Sequence, residues 1–133
     1  MPLNFKFSYL RKGKHVFVPN DESISRGETV LRHCKRNVQF PDYFFHYRSG
    51  GHVAALHEHL QNNFFFRIDI EHFFYAVSRN RVAAALYSTG FNHARTYAQW
   101  SCVKNPLAGP RYALPIGFVQ SPILAILCIM RSP

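Results

Sequence analysis

An α+β fold, with a sheet covered by helices, is the class this chain predicts, and three observations carry it. Residues 5–18 alternate in strand fashion around a glycine, and residues 64–70 alternate again. Between and after these stretches come segments with helical spacing and their own capping residues. The length of 133 residues suits one domain, and 47% hydrophobic against 17% charged residues gives enough apolar side chains for a core. Disorder is excluded by the same balance.

In the first segment Phe5, Phe7 and Tyr9 alternate with Lys6 and Ser8, Arg11-Lys12-Gly13-Lys14 offers a turn, and His15–Val18 returns. Pro19-Asn20-Asp21 ends the return strand. Aromatics interleaved with bases suit a surface that stacks on bases and neutralises phosphates, and equally an ordinary amphipathic hairpin. A helix is expected over residues 25–38, with Ser25 as cap and Glu28 completing a capping box. Val30, Leu31 and Cys34 supply its apolar stripe, and Arg32, Lys35 and Arg36 a solvated basic one near its C-terminal end.

Residues 40–48 are aromatic-rich and run into Ser49-Gly50-Gly51. A helix is expected over 52–61, stopped by Asn62-Asn63. His52, His57 and His59 do not match the HExxH spacing, and His57 and His59 fall on different sides of a helix, so no zinc site is expected there. Strand alternation then puts Phe64, Phe66, Ile68 and Ile70 on one face, and Phe65, Arg67, Asp69 and Glu71 on the other. An acid at the end of so apolar a strand is costly to bury unless a cation meets it. Taken alone, this stretch favours Asp69 as an edge-strand carboxylate facing water over a metal ligand.

Ser78 is positioned to cap a helix over 79–88, with Val82, Ala85 and Leu86 inward and Gly90 at its left-handed C-terminal position. Asn92 is expected to cap a further helix from His93 to about Val103, with Ala94, Tyr97, Ala98 and Trp100 mostly buried. Residues 105–110 make a loop. The nineteen uncharged residues Tyr112–Met130 are long enough for a membrane span, but Pro115, Gly117, Gln120-Ser121 and Pro122 interrupt them. Ser121 and Pro122 instead predict a helix start, with Ser as cap and Pro at the first position.

With 16 Lys and Arg against 7 Asp and Glu, the formal charge is +9, and such a chain usually meets a polyanion. The acids are uneven, and none follows Glu71. Cys34, Cys102 and Cys128 are too scattered for a disulfide framework or a zinc site, which predicts reduced core thiols and a cytoplasmic setting. No secretory leader is expected from residues 1–9.

Two separated stretches carry a resemblance. Phe66-Arg67-Ile68-Asp69-Ile70-Glu71-His72-Phe73-Phe74 resembles the first palm motif of reverse transcriptases, a hydrophobic strand ending in Asp-Ile-x-x-Phe-Phe. Forty-five residues after Asp69, Leu114-Pro115-Ile116-Gly117-Phe118-Val119-Gln120-Ser121-Pro122 resembles their next motif, Leu-Pro-x-Gly-x-x-x-Ser-Pro. The stretches look most like those of bacterial retron, group II intron and phage-defence enzymes, a resemblance firm over 64–130 and looser over 14–60. The resemblance implies a partial right-hand polymerase: a basic, fingers-like region at 1–63 and an incomplete palm at 64–133.

It further implies an RNA-directed DNA polymerase acting on an RNA template, a DNA primer and deoxynucleoside triphosphates through two Mg²⁺ ions, without a membrane. Asp69 would be a catalytic metal ligand, joined by the Ile70 backbone carbonyl. Phe74 would lie under the sugar and exclude a 2′-hydroxyl. Pro115 and Gly117 would bring backbone up to the nucleotide, and Gln120 would stand in for the polar side chain that Ile116 cannot supply. Lys12, Lys14 and Arg48 are candidate nucleic-acid contacts. The family's paired-aspartate hairpin and its thumb have no counterpart here, so the 133 residues alone are expected not to polymerise, needing the missing palm and thumb half. The alternatives are a non-catalytic nucleic-acid-binding remnant and a small membrane protein.

Overall fold

The computed structural model of the chain describes residues 4–39 and 73–131. One compact unit takes Met1–Asn37 with His72–Pro133, and a second takes Val38–Glu71, almost all of it outside the described residues. The expected strand at 64–70, the expected helix at 52–61 and the division at residue 63 therefore lie outside the described residues. What is described is a small α+β fold with four α-helices and two separate two-stranded antiparallel sheets.

Strands β1 (Phe5–Arg11) and β2 (Lys14–Pro19) form the expected hairpin, in register Phe7–Val18, Tyr9–Val16 and Arg11–Lys14. The turn is Lys12-Gly13, both at positive φ (51° and 77°), as a tight two-residue hairpin turn demands. Opposed residues share a face. Ser8, Leu10, His15 and Phe17 therefore lie on one side, and Phe7, Tyr9, Arg11, Lys14, Val16 and Val18 on the other. Phe17 is buried, and a register shift between Phe5 and Phe7 lets Phe5 meet it edge-on at 4.9 Å.

Helix α1 spans Asp21–Asn37, starting four residues before the expected Ser25. Asn20 is the cap: its side-chain oxygen accepts the Ser23 N–H at 2.9 Å. Asn is as good a cap as Ser, and it stands directly after the proline that closes β2. Asp21 and Glu22 then sit in the first turn, where the macrodipole favours acids. Ile24, expected outside the helix, is inside it and exposed. Ser23, Gly27, Val30 and Cys34 form the buried stripe.

After a 3₁₀ turn at Phe74–Ala76, helix α2 (Arg79–Ser88) begins as predicted, with the Ser78 hydroxyl accepting the Arg81 N–H at 3.2 Å. Val82, Ala85 and Leu86 are buried, and Gly90 is left-handed at φ 79°. Helix α3 (Ala94–Ser101) is shorter than expected. His93, not Asn92, holds its N-cap position, at φ 63° and without a side-chain cap. Tyr97 and Trp100 are half-buried, flanking the Arg26 guanidinium at 5.3 and 4.7 Å.

Val103 leaves the helix for β3 (Val103–Lys104), which pairs with β4 (Tyr112–Ala113). Asn105 holds the intervening loop, its amide donating to the Tyr75 and Pro110 carbonyls at 2.9 Å each. Helix α4 (Ser121–Arg131) follows, its first turn closed by Leu124 N–H on the Gln120 carbonyl. The expected Ser121 cap is not made: its hydroxyl is buried and accepts no backbone N–H.

Helix α2 packs on both α3 and α4, around Leu86, Val82, Ile123 and Leu124. Asn4 ties the start of β1 to the end of α3, donating to the Cys102 and Trp100 carbonyls at 2.8 and 3.0 Å. Those are C-terminal carbonyls a helix leaves unsatisfied. None of the three cysteines is in a disulfide, and all are buried. Burial pushes the Cys34 thiol up to about 11 and the Cys102 thiol up to about 12.

Candidate functional site

The Leu114–Gln120 loop is built against two partners. On one side, the Leu114 N–H donates to the Val77 carbonyl at 3.3 Å, and Ala113 bridges antiparallel to Ser78. On the other, the Phe17 N–H donates to the Ile116 carbonyl at 2.8 Å, and Val16 bridges Ile116 in parallel. Gly117 is required at this junction. Its φ is 116°, and a Cβ there would stand 2.1 Å from the Phe17 carbonyl oxygen. Its backbone is exposed, Ile116 is half-buried, and Pro115 is fully buried.

Tyr75 fastens the Leu114–Gln120 loop to β2. Its hydroxyl donates to the His15 carbonyl at 2.5 Å and accepts the Ile116 N–H at 3.3 Å. Burial raises the phenol above its ordinary range, and the Ile116 N–H partly opposes that. Its ring joins Phe17, Val103 and Phe118 in a core cluster, with Phe5, Leu107 and Ile116 against it. The Leu114–Gln120 loop and the basic hairpin thus meet at the side chain that directly follows Phe74. Tyr75, which has no role in the sequence expectations, is the buried aromatic of this segment at 2% exposure. Phe73 and Phe74 are both half-buried, with ring centroids 6.3 Å apart. A tyrosine directly behind Phe-Phe, two residues before a Ser cap, was the available signal.

Gln120 is 1% exposed, so its amide is buried and not offered to a ligand at the surface. It donates to the Ser101 hydroxyl at 3.1 Å, which in turn donates to the Tyr97 carbonyl. Its Oε1 has no hydrogen-bond partner and lies against Gly27, where a Cβ would be 2.4 Å away.

Lys12 and Lys14 are exposed at the hairpin tip. On the hairpin's outer face Phe7 and Tyr9 are 56% and 43% exposed, their rings 6.3 Å apart, with Arg11 and Lys14 beside them. Arg48, Asp69 and Ile70 lie outside the described residues. A two-metal centre needs several carboxylates at one place. The described acids, Asp21, Glu22 and Glu28, are all on α1, and the described residues contain no group of three His, Cys, Asp or Glu able to hold a metal. Among the described residues no helix is long and apolar enough to cross a membrane.

Comparison with protein-family models, with curated proteins and with solved structures returns no match.

Proposed function

We propose that the chain carries the opening part of a reverse-transcriptase-type polymerase core, with a nucleic-acid-facing basic hairpin. The observation that supports the reading most is the meeting at Tyr75 of the segment after Asp69, the Leu114–Pro122 loop and β2. Tyr75 directly follows the first of the two resembling stretches and bonds to Ile116 in the second, which is the proximity this reading expects. On this reading Asp69 is the metal-binding carboxylate. Phe74 packs under the sugar and disfavours a 2′-hydroxyl, so the product is DNA. The exposed backbone of Gly117 faces nucleotide or template. Nucleotide addition needs the paired aspartates of the remaining palm as well.

The second reading is a non-catalytic nucleic-acid-binding remnant. The outward Phe7 and Tyr9 with Arg11, Lys12 and Lys14 favour it, since stacking rings and phosphate-neutralising bases need no carboxylates. Fluorescence anisotropy with a labelled RNA–DNA hybrid bearing a single-stranded overhang tests what the two share. Binding is expected to weaken steeply with salt, by a log–log slope of about −3 if Arg11, Lys12 and Lys14 each meet a phosphate. Phe7→Ala with Tyr9→Ala is expected to weaken it by about 1–3 kcal/mol per lost stack. No binding at low salt would sink both readings. Supplying a palm segment with the paired aspartates in trans separates them. Incorporation that Asp69→Asn abolishes supports the polymerase reading, and binding without incorporation supports the remnant.

A further inference from the structure

A second basic locus lies away from the hairpin. Arg79, Arg111 and Tyr112 line a cavity of about 360 Å³ together with Ser78, Asn80 and Pro110. The Arg79 guanidinium stacks over the Tyr112 ring at 4.2 Å, and Arg111 approaches the same ring at 5.8 Å. Two cations thus share one aromatic ring. Neither has a carboxylate partner among the described residues, where the ion pairs are Lys6–Asp21 and Arg26–Glu22. The sequence from His72 onward offers no acid at all. Arg79 also lines a neighbouring cavity of about 310 Å³ together with Arg95, so the positive wall continues around the helix.

Stability alone does not favour this arrangement. Like charges gathered at one ring repel, and cation–π attraction at a partly exposed site returns only about 0.5–1 kcal/mol each. An anion between the guanidiniums reverses the sign of that balance. Arginine is the side chain that suits it, since its planar fork meets two phosphate oxygens at once. Tyr112 holds one guanidinium against its ring at 4.2 Å, which lowers the cost of fixing its position.

We propose that the Arg79–Tyr112–Arg111 cavity is a phosphate-binding site, taking either a free polyphosphate group or a backbone phosphate of nucleic acid. The cavity stands on its own residues and does not depend on the polymerase reading. The test is isothermal titration of the full chain with inorganic triphosphate, beside anisotropy with a labelled single-stranded oligonucleotide. The double variant Arg79→Gln/Arg111→Gln is expected to weaken at least one probe tenfold or more. Arg36→Gln, which removes a distant exposed charge from α1, is expected to change either by less than twofold. Arg111 is exposed and Arg79 half-buried, and circular dichroism unchanged from wild type confirms that the variants fold. Loss of triphosphate binding alone assigns the site to a free polyphosphate. Loss of oligonucleotide binding, with triphosphate competing it away, assigns it to the backbone. Equal binding of both probes by wild type and double variant, or an equal loss from Arg36→Gln, overturns the proposal.

Discussion

Gly117→Ala is the substitution whose cost can be worked most directly. At φ 116° an L side chain is strained by about 1–3 kcal/mol before any neighbour is considered. The added Cβ would then meet the Phe17 carbonyl oxygen at 2.1 Å and its carbonyl carbon at 3.1 Å. These are backbone atoms, so no side-chain rotation relieves the contact. β2 and the loop must separate by roughly an ångström. That breaks the 2.8 Å bond from the Phe17 N–H to the Ile116 carbonyl and costs a further 1–3 kcal/mol or so. The sum is about 2–6 kcal/mol, a large part of the 5–15 kcal/mol or so that holds a typical domain together. Gly13→Ala is the control: its φ is 77° but nothing lies within 4 Å, so only the left-handed strain of about 1–2 kcal/mol applies. Urea unfolding followed by circular dichroism should show the Gly117 midpoint displaced by about 2 M at an ordinary slope of about 2 kcal/mol/M, and the Gly13 midpoint by about 0.5–1 M. Equal displacements for the two glycines would refute the close approach of loop and hairpin.

Three other outcomes are expected. Tyr75→Phe keeps the ring but strands the His15 carbonyl and the Ile116 N–H, and should cost about 2 kcal/mol in the same unfolding assay. Gly27→Ala would ordinarily stabilise a helix, yet here its Cβ meets Gln120 Oε1 at 2.4 Å and Val119 at 2.7 Å, so a net loss of about 1–3 kcal/mol is expected. The buried thiols titrate above their ordinary value of 9.0, Cys34 at about 11 and Cys102 at about 12. The unfolded chain therefore releases those protons first, and the stability they contribute, whole below pH 9, is lost as pH rises from about 9 towards 12. At pH 8 both should resist iodoacetamide in the native protein and react once urea unfolds it.

The local signals that the chain carries were strong where one residue decides one turn. Lys12-Gly13 read as a hairpin turn, and Ser78 as a cap, because backbone geometry at those positions is set within three residues. Helix starts with two competing caps were not legible. Asn20 and Ser25 both precede apolar spacing, and what selects Asn20 is the distant Asn4, whose carbonyl accepts the Ser23 hydroxyl and binds the first turn to β1. Of the candidate site, Gly117 was visible as a motif glycine, but its reason, the Phe17 carbonyl, was not. Tyr75 was missed because its two partners, at 15 and 116, are far from it in sequence. The Arg79–Tyr112–Arg111 cluster was missed for the same cause.

The joint between β2 and the Leu114–Gln120 loop also bears on the order in which the molecule assembles. The Phe17–Ile116 bond closes a loop of roughly a hundred residues, whose entropy cost is about 4 kcal/mol beyond a constant term. The hairpin and each helix close over far shorter spans and need not wait for it. Docking of the loop on β2 is therefore expected among the last steps, with Tyr75 and Gly117 formed weakly in the folding transition state. Substitutions at this joint should then speed unfolding far more than they slow folding, making it the latch that sets how long the assembled molecule stays closed.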